Sequence, residues 1–110
     1  MVTSRSVDRY SAFLYPDDRD NEARINLYCD GGYKLYVLFR RAGKPLGTNS
    51  YNADKTTGVA YEGIDGFARY LDLIRNDRPI WANFNPDVSP PSFVVYANRE
   101  PVGEEESVSV

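Results

Sequence analysis

The chain has 110 residues, 42% hydrophobic and 26% charged, the size and make-up of one ordinary globular domain and not of a disordered or fibrous polymer. Thirteen Lys and Arg against sixteen Asp and Glu leave a formal net charge of -3, which argues against duplex DNA or RNA as a partner, because phosphate binding needs a clustered basic excess. There is no His and Cys29 is the single cysteine, so the commonest base near neutral pH, the commonest zinc ligand and an intramolecular disulfide are all excluded.

Residues 1–9 are polar apart from Met1, Val2 and Val7 and offer no apolar core for a signal peptide. A flexible N-terminus is expected there, and a cytoplasmic setting with it. Residues 10–15 form a short aromatic strand that Pro16 stops, since proline cannot donate to a ladder. A polar connection over 17–22 follows.

Two alternating runs, 23–29 and 33–40, flank Asp30-Gly31-Gly32. Alternation puts Ile25, Leu27 and Cys29 on one face of the first, and Leu35, Val37 and Phe39 on one face of the second. A three-residue loop pairs Leu27 with Leu35 and Ile25 with Val37, keeping apolar face against apolar face, and it sets Gly32 where a bulged turn needs a left-handed residue. Residues 41–57, rich in Gly, Pro, Asn, Ser and Thr, read as a long surface loop, and 58–62 as a short strand. Ile64, Phe67, Ala68, Leu71 and Ile74 recur at helical spacing, with Asp65 as a cap and Arg75 and Arg78 near the last carbonyls before Pro79. Strands over 80–85 and 92–98 close the pattern.

The expected fold is therefore α+β: a mostly antiparallel five- to six-stranded sheet with one main helix on one face, in the order β-β-β-β-α-β-β. A single domain over 10–102 is expected, followed by a flexible acidic tail over 103–110.

One helix covers only one face of such a sheet. The other face carries Tyr28, Tyr36, Leu38, Trp81 and Tyr96, with Arg24 and Arg40 beside them. Rigid aromatics among arginines have the composition of protein-interface centres. The expected role is non-enzymatic: binding to a protein partner or to itself, as a possible homodimer, through this face. The plain alternative is a solvated face with the long loop lying across it.

A second expectation is a small-ligand binder or enzyme with a pocket under the 41–57 loop and Asn52, Asp54 and Tyr61 as polar contacts. A third is an acidic inhibitor of a nucleic-acid-binding protein. Asp17, Asp18, Asp20 and Glu22 supply oxygens for a hard cation, but Ala23 and Cys29 stand where an EF-hand loop needs Gly and Glu, so a solvated connection is the better account. No residue pair has the spacing of a nucleophile and its base. No cofactor motif appears, no duplex nucleic acid or membrane partner is expected, and the sequence identifies neither the partner nor the oligomeric state.

Overall fold

Alternation of apolar residues over β2 (Asn21–Cys29) and β3 (Lys34–Arg40) builds the centre of the fold in the computed structural model, which describes residues 1–97. Leu27 faces Leu35 and Ile25 faces Val37, the register that the three-residue loop demands. Gly31 and Gly32 both take positive φ, 73° and 79°, where a side chain is strained. The remaining strands are β1 (Thr3–Leu14), β4 (Ser50–Asn52), β5 (Thr57–Gly63), β6 (Ile80–Asn85) and β7 (Ser92–Ala97). All seven join one sheet in the order β4-β5-β3-β2-β1-β6-β7.

The α+β class holds, but the sheet is larger than expected and mixed. β5 runs parallel to β3, because residues 41–56 carry the chain back to the starting end of β3. Within that excursion β4 adds antiparallel to β5, so the stretch expected as loop includes a strand. β1 begins at Thr3, not residue 10, which places residues 3–9 in the sheet where a flexible segment was expected. The expected acidic tail over 103–110 lies outside the described residues.

β1 also explains the curl. Its first part pairs with β6, Thr3 opposite Phe84 through Ser6 opposite Trp81, and its second part with β2. The register shifts between Val7 and Arg9 as the strand changes partner, a bulge that adds local twist. The sheet bends far enough for Phe93 of β7 to reach β5 at Gly58, where a Cβ would lie 2.5 Å from the Phe93 ring. Asn49 stitches the same seam, accepting from the Tyr61 amide at 3.1 Å and donating to the Pro91 carbonyl at 3.2 Å.

Inside the curl, Ile25, Leu27, Leu35, Val37, Phe39, Ile80, Ala82 and Phe84 are no more than 2% exposed. Helix α1 (Phe67–Asn76), entered through a 3-10 turn at Ile64–Gly66, fills one end of this concave side. Phe67 and Tyr70 meet the Phe39 ring edge-on at 5.1 and 5.3 Å, a favoured aromatic geometry. Arg78 donates to the Ile74 carbonyl at 2.5 Å and so serves an orphan acceptor at the helix end, as expected. Asp65 does not cap the start, since neither cap position there carries a side-chain hydrogen bond. At the other end Phe84 is surrounded by Tyr33, Tyr51 and Phe93 at 5.2 to 6.2 Å, and Arg5 lies over Tyr33 at 4.4 Å. Among the described residues no helix is long and apolar enough to cross a membrane.

Candidate binding face and adjoining groove

With the helix on the concave side, side chains at alternate positions of the strands form the convex face. Tyr28, Tyr36, Leu38, Trp81, Tyr96, Arg24 and Arg40 all stand there, each half-buried. β1 adds two residues that the sequence reading left out, Arg9 opposite Tyr28 and Phe13 opposite Arg24. Phe13 lies in the aromatic strand expected over 10–15, and carrying its period-2 pattern back through Ser11 reaches Arg9.

Rings and guanidiniums interleave across this face. Arg9 lies 4.4 Å from the Tyr28 ring centre, Arg24 lies 4.9 Å from Phe13 and 5.6 Å from Tyr36, and Arg40 lies 4.9 Å from Tyr61. Each contact lies within cation-π range. At the centre Asn26 is only 5% exposed and donates to the Tyr28 hydroxyl at 3.2 Å. That bond, joined by one from Ser11, lowers the Tyr28 phenol pKa against the opposing effect of burial, with lesser help from the nearby Arg9 and Arg24 charges. Asn26 Oδ1, Trp81 Nε1 and the Nε atoms of Arg24 and Arg40 are buried with no hydrogen-bond partner among the described residues.

The outward positions also carry charge. Arg9, Arg24, Lys34 and Arg40 share them with Ser, Asn, Thr, Tyr, Trp and aliphatic side chains, and Glu22, at the bulge of β2 beside Arg40, is acidic and pairs with Arg41 at 3.6 Å. Four of the thirteen basic residues of an acidic chain thus share this face.

At one border of this face lies an open groove of about 960 Å³, lined by Lys34 and Tyr36 on one side and by Asn52, Asp54 and Lys55 on the other. Asn52 and Asp54 therefore come together where the loop-pocket expectation needs them. Tyr61 does not line the groove. The Gly47 backbone lies against its ring, so close that a Cβ there would stand 2.7 Å from Tyr61 Cζ. The loop consequently covers Tyr61 and leaves Tyr36 facing the groove.

Arg41 organises the acidic connection. Arg41 donates to the carbonyls of Tyr15, Pro16 and Asp18 at 2.6, 3.0 and 2.7 Å and pairs with Glu22 at 3.6 Å. Asp18 accepts from the Asp20 and Asn21 amides, both at 2.8 Å, and these bonds hold its carboxyl below the usual range. Asp20 pairs with Lys44 at 3.8 Å. Asp17 joins none of these bonds, and among the described residues no group of three or more His, Cys, Asp or Glu is placed to hold a metal ion.

Cys29 packs inside beside Leu27, and burial, aided by Asp8 and Asp30, pushes its thiol up to about 12. It stays protonated near neutral pH, unlike a nucleophilic thiolate. Glu62 stands 3.4 Å from the Tyr70 hydroxyl, whose pKa burial raises to about 12. Comparison with protein-family models, curated proteins and solved structures finds no match for this chain.

Proposed function

We propose that the protein is a non-enzymatic binding module, working in the cytoplasm, that takes a protein partner on its convex sheet face. The observation that carries this is the interleaving of Arg9, Tyr28, Phe13, Arg24, Tyr36, Arg40 and Tyr61 on the face opposite the helix. Anchors of this kind lose little side-chain freedom on binding, because stacking already restrains them. Self-association through the same face would set Arg9, Arg24, Lys34 and Arg40 of one copy against the same cations of another, so a different chain is the better partner.

A photo-crosslinking residue at Leu38 tests the reading, with one at exposed Asp72 on α1 as control. In extract from the source cells, adducts are expected from position 38 and not from position 72. Tyr36→Ala or Trp81→Ala should weaken capture by about thirtyfold, the scale of an interface hot spot, with an unchanged circular dichroism spectrum. Identical adducts from both positions, or capture indifferent to Tyr36 and Trp81, would reject it. A mass that rises with protein concentration, and falls back on Tyr36→Ala, would make the partner a second copy.

The groove supports a second reading, a small-ligand site, since its volume suits an organic ligand and Lys34, Lys55, Asn52 and Asp54 offer polar contacts. A ligand at about 100 times its Kd stabilises by about 2.7 kcal/mol. The melting temperature should then rise by several degrees in a metabolite screen, and Asp54→Ala should abolish the rise. A flat screen would remove this reading for the compounds tried.

A further inference from the structure

We infer that the partner presents an extended acidic segment, with Asp or Glu at alternate positions, and that Arg24 and Arg40 receive its carboxylates; this rests on the reading of the convex face as a protein-binding surface. Ion pairs among the described residues engage Met1, Arg5, Arg41 and Lys44. Arg24 and Arg40 are thus paired with no carboxylate there. Each guanidinium instead lies 4.9 Å from a ring centre, Phe13 for Arg24 and Tyr61 for Arg40.

Burial of Nε fixes these side chains further and leaves their Nη donors as the groups a ligand can reach. A held planar fork is suited to a carboxylate, and holding it beforehand removes the ordering cost that a free arginine meets on binding.

Spacing selects the form of the ligand. Arg24 stands opposite Leu38, and Arg40 is two residues further along β3. Diagonal neighbours of this kind lie roughly 7–8 Å apart. Alternate residues of an extended chain repeat at roughly 7 Å. Carboxylates two residues apart on one side of an extended segment therefore match the spacing of the two positions from which these arginines project. Stacked bases suit the face less well, because a platform for single strands needs rings with open faces, and here guanidiniums already lie against Phe13, Tyr28, Tyr36 and Tyr61.

The test titrates the full chain into fluorescent probes: a peptide alternating Glu and Thr, its Gln-for-Glu counterpart, a peptide of the same composition with its Glu residues in one block, and oligothymidylate. The alternating Glu peptide should bind, the Gln peptide should not, and the block peptide should bind more weakly. Raising salt from about 50 to about 300 mM should weaken binding by about tenfold. Arg24→Lys, which keeps the charge and loses the fork, should weaken it by about tenfold as well.

Equal binding of the Glu and Gln peptides, a flat salt response, or tighter binding of oligothymidylate would overturn the inference. If Arg24→Lys does not fold, the peptide pair and the salt series on the unaltered chain decide. Failure of the Glu peptide while Leu38 adducts persist removes the acidic segment and leaves the binding face standing. Failure of both removes both.

Discussion

Truncating Phe39 to alanine is expected to cost about 3–5 kcal/mol of stability, the range for a fully buried phenylalanine. Phe39 is 0% exposed, and the Phe67 and Tyr70 rings of α1 both rest against it. The variant loses its own burial and also the surface on which the helix is seated. Urea denaturation should show a lower midpoint with the slope preserved, as for a two-state domain that still folds. The neighbouring Leu38→Ala, on the half-buried convex side, should cost far less. Similar losses at positions 38 and 39 would mean that the sheet does not distinguish its two faces as described.

Gly58→Ala is the second large effect. A Cβ at this position would stand 2.5 Å from Phe93 Cε1 and 3.2 Å from Leu35 Cδ1, so the seam between β5 and β7 must open or the Phe93 ring must leave its place beside Phe84. Overpacking of this kind costs about 1–3 kcal/mol. In a domain of this size each 1 kcal/mol lowers the melting temperature by roughly 4–8 °C. In a Phe93→Ala background the same change should cost much less, because the obstructing ring is gone, and a double-mutant cycle would report the coupling. Additive losses would show that Gly58 matters for its backbone and not for the close approach.

Local periodicity carried the parts of this fold that depend on near neighbours in the chain. The pairing of Ile25 with Val37 and Leu27 with Leu35 was legible because a one-residue slip would turn the apolar face of β2 onto the mixed face of β3. The helix was legible from the spacing of Phe67, Leu71 and Ile74. Parallel pairing of β3 with β5 was not, since nothing in the composition of residues 41–56 says which end of the sheet the chain returns to. β4 was hidden for a related reason: its three residues, Ser50–Asn52, are too few for alternation to show.

The candidate face was legible in outline only. Tyr28, Tyr36, Trp81 and Tyr96 could be assigned to one side by alternation, but which rings an arginine covers depends on lateral pairing between strands. Arg9 lies in a polar N-terminal stretch with no periodic apolar signal, and Phe13, although in an expected strand, could not be given a face until the pairing of that strand was known. Tyr61 was expected as a polar contact in a pocket; the Gly47 backbone lies on its ring instead, and no local pattern encodes that approach.

The divided pairing of β1 bears on how the chain reaches this state. Its first residues are hydrogen-bonded to β6, nearly the whole described chain away, whereas its later residues pair with β2 just beyond the adjoining turn. Closing so long a loop adds only about 0.6 kcal/mol for each doubling of its length, so the distant contact is tolerable at equilibrium. Its burden falls on time, because pairing between remote segments slows folding. The β1–β2 and β2–β3 hairpins can zip locally, while Thr3 through Ser6 must wait until β6 has been placed. The convex face, built from both halves of β1, is complete only once β6 has joined the sheet, and a partner that needs the whole face requires that distant pairing.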